Sequence, residues 1–137
     1  MHEPQEGEEL AGYVIEFPMP PSLNNRMFCT QKRMVLSRSY REWKTKAVAT
    51  LIETFDETKV AFLPGDARYR VTIWFSFRDK RRRDIDGFAK PILDAITEGC
   101  VAWDDDEQVD ELMLYRHPPG KNAALVMVET LVDGNRE

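Results

Sequence analysis

Nine consecutive residues, Tyr69-Arg70-Val71-Thr72-Ile73-Trp74-Phe75-Ser76-Phe77, set an apolar side chain at every second position. That period is the period of a β-strand, in which successive side chains point to opposite faces, so Tyr69, Val71, Ile73, Phe75 and Phe77 share one face. A helix would scatter these five around its circumference, and no other segment of the chain carries so clear a strand pattern. The protein is therefore expected to build a sheet around this strand. The next segment of chain matters as much: from Arg78 to Lys90 there are six basic and three acidic residues, and the run Arg81-Arg82-Arg83-Asp84-Ile85-Asp86 falls in the loop beyond the strand's end.

The remaining elements are legible by the same means. Tyr13 to Phe17 reads as a first strand, halted by Pro18-Met19-Pro20-Pro21, whose prolines cannot donate to a ladder. Ser39 and Glu42 form a Ser-x-x-Glu capping box, and Tyr40, Trp43, Ala47, Leu51 and Phe55 recur at spacings of three and four, which predicts an amphipathic helix from about Tyr40 to Phe55. A second helix carries Phe88, Ile92, Ala95 and Ile96 on its buried stripe, tolerates Pro91 in its first turn and ends at Gly99. Strands from Val109 to Arg116 and from Ala124 to Leu131 flank Pro118-Pro119-Gly120-Lys121-Asn122 and are expected to pair as a terminal hairpin. The order strand, helix, strand, helix, two strands predicts an α+β single domain, a mixed β-sheet with helices packed on it. The expected domain spans residues 12–132, between a disordered acidic tail at 1–11 and a short tail at 133–137.

Bulk properties narrow the function classes. At 137 residues the chain is long enough for one self-sufficient core. No apolar run approaches the roughly 20 residues that span a bilayer, so no membrane association is expected, and the start lacks the basic and apolar segments of a secretory signal. Cys29 and Cys100 are too few for a disulfide framework, and an intracellular, cytoplasmic chain with free thiols is the simpler reading. A scattered zinc set of these cysteines with His2 and His117 has no ligand spacing to recommend it. The net charge of −5 argues against a nucleic-acid partner, but the sum hides the distribution. Seven basic residues face one acid between Arg26 and Lys46, while four glutamates crowd the first nine positions and seven acids lie between Glu98 and Glu111. Basic faces beside a carboxylate-rich pocket fit the same totals.

Three adjacent guanidinium groups attract a polyanion that Asp84 and Asp86 would repel, unless a divalent cation sat between acid and phosphate. In an extended segment two carboxylates separated by one residue point the same way, with Cβ atoms roughly 7 Å apart. Mg²⁺ or Mn²⁺ favours such oxygen ligands. A third acid from Asp104, Asp105 and Asp106 could approach after the chain turns at Gly99. Lys90, four residues past Asp86, would share its face on a continuous helix and offset phosphate charge. Against this stands the plainer reading that charge runs are solvated loops or surface ion-pair patches. Three familiar motifs fail. Asp84-Ile85-Asp86-Gly87 follows arginines instead of the apolar strand of a dehalogenase-type phosphatase; the Asp104 run lacks the glycine and glutamate of an EF-hand; and there is no Walker loop.

Arg83-Asp84-Ile85-Asp86-Gly87-Phe88-Ala89-Lys90-Pro91-Ile92-Leu93-Asp94-Ala95-Ile96, followed by Trp103-Asp104-Asp105-Asp106-Glu107-Gln108-Val109, resembles the RusA family of Holliday-junction resolvases. Pro20-Pro21-Ser22-Leu23-Asn24 resembles the family's Pro-x-Ser-x-Asn segment, and the likeness covers about residues 13 to 131. It implies a RusA-like fold and a homodimeric, Mg²⁺-dependent endonuclease, with Mn²⁺ able to substitute, that nicks four-way DNA symmetrically. It implies catalytic and metal-binding roles for Asp84, Asp86 and Asp106, with Asp105 an adjacent acid that could assist. It places Lys90 at the essential lysine and Arg83 at a basic residue preceding the acids. Asn24, Arg81, Arg82, Arg83 and Lys90 are the expected DNA contacts. Gly87 stands where the family commonly has asparagine, Met27 where an aromatic is frequent, and Asp104 is an extra acid. A junction- or protein-binding module without turnover, and a nuclease acting on other branched DNA or on RNA, remain as alternatives.

Overall fold

The structure is a computed structural model that describes residues 12–22, 27–30, 33–36, 38–58, 68–99 and 106–131. Strand β1 (Gly12–Pro18) is followed by β2 (Met27–Thr30) and β3 (Arg33–Leu36), helix α1 (Arg38–Thr58), β4 (Tyr69–Ser76), helix α2 (Ala89–Gly99), β5 (Val109–Arg116) and β6 (Ala123–Thr130). Single 3-10 turns, Ile85–Phe88 and Asp106–Gln108, precede α2 and β5. Four strands form one sheet in the order β1-β6-β4-β5, and β2 pairs with β3 as a separate antiparallel ribbon. Among the described strands only β4 and β5 run parallel, so the sheet is mixed and the architecture is α+β as expected.

The strongest strand of the sequence is the centre of the sheet. Tyr69, Val71, Ile73 and Phe75 are fully buried on the helix side, and Thr72, Trp74 and Ser76 are buried on the other face. Being central, β4 needs a partner on each edge, and this overturns the expected terminal hairpin. β5 and β6 do not pair with each other; β4 lies between them, parallel to β5 and antiparallel to β6. The six residues between β5 and β6 cross the two strand spacings involved, roughly 10 Å, which a two-residue turn could not. They wrap the carboxyl end of β4: the His117 and Gly120 amides donate to the Phe75 and Phe77 carbonyls (2.9 and 2.6 Å), and the Ser76 hydroxyl donates to the Pro118 carbonyl (2.8 Å).

Helices α1 and α2 cover one face. Ala47 and Leu51 from α1, and Ile92, Ala95 and Ile96 from α2, pack with Ile15 and Phe17 of β1 and with Ala124, Val126 and Val128 of β6. Helix α1 begins at Arg38, so Ser39 lies inside the first turn, and the Glu42 carboxylate takes the Arg38 guanidinium at 2.9 Å. Pro91 occupies the first turn of α2, where its missing N–H is harmless. The β2–β3 ribbon has no counterpart in the sequence reading, because Gln31-Lys32 between its strands lacks the Asn-Gly or Gly-rich signal of a tight turn. The far face of the sheet carries no helix of the described residues. Trp74 stacks there on Tyr115 (centroids 6.1 Å apart), and Val14, Met113, Tyr115 and Leu125 are exposed. Residues 1–11, 59–67 and 132–137 lie outside the described residues, and with them both expected tails. No described helix is long and apolar enough to cross a membrane.

Phe75 tests this core, because it is fully buried and meets both Phe77 and Phe88. Phe75→Ala should cost about 3–5 kcal/mol of unfolding free energy in urea titration.

Candidate functional site

The crossover from β4 to β5 runs through the arginine loop, a 3-10 turn and α2, so the acidic pair stands beyond the carboxyl end of a parallel strand, where open sheets leave room for ligands. Aromatic packing fixes this corner. Phe88, the last residue of the 3-10 turn, sets its ring edge-on to Phe77 with centroids 5.0 Å apart, and 6.3 Å from Phe75. The Arg83 and Arg116 guanidinium groups lie 5.0 and 5.4 Å from the centre of the Phe77 ring, and Arg116 also donates to the Arg83 carbonyl.

A groove of about 850 Å³ opens here. Its walls include Pro20, Pro21 and Ser22 from the proline loop, Ser39 and Trp43 from α1, Phe77 and Phe88, and Arg78, Arg82, Arg83, Asp84, Asp86 and Asn122. The proline loop is held at its start, since the Trp43 indole donates to the Pro18 carbonyl (2.8 Å) and the Met19 amide to the Asn122 carbonyl (3.1 Å). Asn122 adopts a left-handed backbone (φ 52°), a conformation its short amide side chain tolerates.

Asp84 is extended, whereas Asp86 is the second residue of the 3-10 turn, closed by the Gly87 amide on the Asp84 carbonyl (3.2 Å). Both side chains are exposed and line the groove, and neither carboxylate has a hydrogen bond or ion pair with a described residue. An unpaired pair of hard oxygen donors suits Mg²⁺ or Mn²⁺, which keep several waters beside one or two carboxylates. Among the described residues no group of three acids, histidines or cysteines could hold a metal. The backbone of Asp106 opens the turn before β5, where it packs near α2 and where Arg68 ties Glu107 and Asp110 (2.7 Å to the Glu107 carbonyl, 2.6 Å to Asp110). Val109 pairs with Tyr69, so this turn stands at the opposite end of β4 from Asp84 and Asp86, an eight-residue strand or roughly 26 Å away. The Asp106 side chain, Asp105 and Asn24 lie outside the described residues.

The basic residues divide. Arg83 is mostly buried, and its guanidinium is committed to Asp79 at 2.9 Å and to the Phe77 ring. Asp79, which the sequence reading passed over, also meets Arg78 (3.4 Å), the Arg81 guanidinium (3.7 Å) and the Arg81 amide (3.0 Å). Its spacing of four from Arg83 was the available signal. Arg82 is exposed in the groove with no hydrogen bond or ion pair among the described residues. Lys90 lies outside the groove wall, its ammonium 3.0 Å from Asp94 one turn further along α2. The 3-10 turn explains the divergence: its three residues per turn carry Lys90 roughly 90° around the axis from Asp86, instead of the 40° of an unbroken α-helix.

The Arg83 guanidinium, and then the Arg81 amide, hold the Asp79 carboxyl below its ordinary value of 3.8. A depressed carboxyl contributes order that is fully present above 3.8 and lost as pH falls through the lower folded value. The Asp79 carboxyl carbon should therefore titrate below 3.8 by NMR and move back toward it in Arg83→Met.

The family model described as endodeoxyribonuclease RusA matches residues 18–129, a span that runs from the end of β1 to the end of β6 and takes in both acidic runs. A curated relative, the crossover junction endodeoxyribonuclease rusA of Enterobacteria phage HK97, is 29% identical over 104 residues, covering 76% of this chain and 82% of the relative. The match covers most of the chain, and the chain belongs to the endodeoxyribonuclease RusA family.

Proposed function

We propose that this protein is a Mg²⁺-dependent endonuclease that resolves four-way DNA junctions as a homodimer, by paired symmetric hydrolysis of phosphodiester bonds. The observation that carries the reading is the pair of exposed carboxylates, Asp84 and Asp86, without a partner among the described residues and set in a groove beside an arginine loop in a RusA family member. Asp84 and Asp86 would hold the cation, which when bound supplies an activated water and neutralises phosphate charge. Arg82 and Arg78 meet the DNA backbone from the groove wall, Arg83 keeps their loop in register, and Lys90 offsets charge that develops on the phosphate.

A two-fold pair of subunits suits a substrate whose two cleavage sites are related by symmetry. The exposed apolar side chains on the helix-free face of the sheet are of the kind subunits bury. Asp106 gives the dimer a chemical role. Within one chain its backbone stands at the far end of β4 from the Asp84–Asp86 pair, and on this reading the acid of one copy would complete the pair of the other.

Asp84→Asn should lower the rate of nicking of a synthetic four-way junction in Mg²⁺ by roughly a hundredfold or more, with folding and junction affinity in EDTA largely kept. A wild-type protein that binds the junction and leaves it uncut across Mg²⁺ and Mn²⁺ titrations would instead be a binding module. Competition with flaps, forks and RNA separates a resolvase from a nuclease of other specificity. Composite sites predict complementation: an Asp84→Asn subunit co-purified with an Asp106→Asn subunit carries one intact site and nicks one strand. If both acids act within one chain, that mixed dimer is inactive.

A further inference from the structure

The loop between β4 and α2 carries one acid ahead of Asp84 and Asp86, namely Asp79. On charge alone the position is a poor one, because a carboxylate among arginines that meet phosphate repels the same polyanion they attract. Its contacts give it another use. Asp79 Oδ1 accepts from the Arg81 amide (3.0 Å) and the Arg83 guanidinium (2.9 Å), while Oδ2 lies 3.4 Å from Arg78 Nε and 3.7 Å from Arg81 Nε. The bond to the amide two residues on closes a turn with a side chain and so sets the backbone of the loop. Arg83 ties the same turn from its other end, with Nη1 donating to the Asp79 and Arg81 carbonyls (3.4 and 3.3 Å) and its guanidinium over the Phe77 ring.

Asp79 stays outside the groove wall, whereas Arg78, Arg82 and Arg83 line it. We propose that Asp79 is the positioning residue of this loop, an acid that holds the arginines in the geometry in which they meet DNA phosphates. The inference rests on the junction-binding reading above. An arginine loose in solvent loses rotamer freedom when a phosphate fixes it, and a loop already ordered loses less on binding. The Asp79–Arg83 clamp thus trades some long-range attraction for preorganisation: Arg83 is 18% exposed and committed, and Arg78 and Arg82 remain exposed at the groove.

Charge and positioning act with opposite signs. Asp79→Asn keeps an acceptor for the Arg81 amide and removes the charge, so charge counting alone predicts tighter junction binding in EDTA. The positioning role predicts binding about fivefold weaker, kcat at saturating junction within about twofold, and lower backbone ¹⁵N order parameters across residues 79–83. Arg83→Lys keeps the charge, loses the planar fork that spans the turn, and should weaken binding to a similar degree. Combining the two should cost little more than either alone, because both break one clamp. Should Asp79→Asn misfold, Arg83→Lys decides by the same affinity and order measurements. Junction affinity in Asp79→Asn at or above that of the wild type would overturn the assignment. A wild-type protein that binds no branched DNA would sink the functional reading alone, because the order parameters still decide whether Asp79 fixes the loop.

Discussion

The packing of Phe88 against Phe77 and Phe75 joins the core of this protein to its chemistry. Phe75 and Phe77 close the helix side of the central strand, and Phe88 closes the 3-10 turn that carries Asp86, so one aromatic contact fixes the acidic pair relative to the sheet. The same ring of Phe77 receives two guanidinium groups, and such contacts strengthen where water is partly excluded. Remove the cluster, and the partly buried Ile85 would be left as the loop's apolar anchorage between the end of β4 and the start of α2.

Much of this was readable from the sequence because it rests on local periodicity. The alternation from Tyr69 to Phe77 identified the central strand, and the spacing of Tyr40, Trp43, Ala47 and Leu51 identified the buried stripe of α1. Pairing was harder. Val109–Arg116 and Ala123–Thr130 each look like hairpin strands, and nothing local states that β4 comes between them; that order is set by the burial of both faces of β4, a property of the whole sheet. The β2–β3 ribbon escaped because its turn lacks the Asn-Gly or Gly-rich pair that marks a tight hairpin.

The candidate site divides along the same line. Spacing placed Asp84 and Asp86 together, and both reach the groove. Spacing alone put Lys90 on the Asp86 face, and the 3-10 turn changes the angular step between them, so the lysine's ion pair is with Asp94. The partners of the cations, Asp79 for Arg83 and Tyr40 behind Asp94, were invisible because each depends on a side chain's direction or on a contact between distant elements.

Three arginines beside two aspartates ought to collapse into ion pairs, and a carboxylate so neutralised would be a poor ligand for a cation. Asp79 prevents this. Lying at the start of the loop, it gathers Arg78, Arg81 and Arg83 around one carboxylate, while the Phe77 ring takes the flat face of Arg83. Among the described residues, Asp84, Asp86 and Arg82 are thereby left on the groove wall without an ion pair. The lysine obeys the same rule, its charge drawn one turn along α2 to Asp94 and away from the acids it would otherwise neutralise. A site proposed to hold a cation and a polyanion together needs its fixed charges kept apart until the ligands arrive, and here acids outside the pair take up the neighbouring cations.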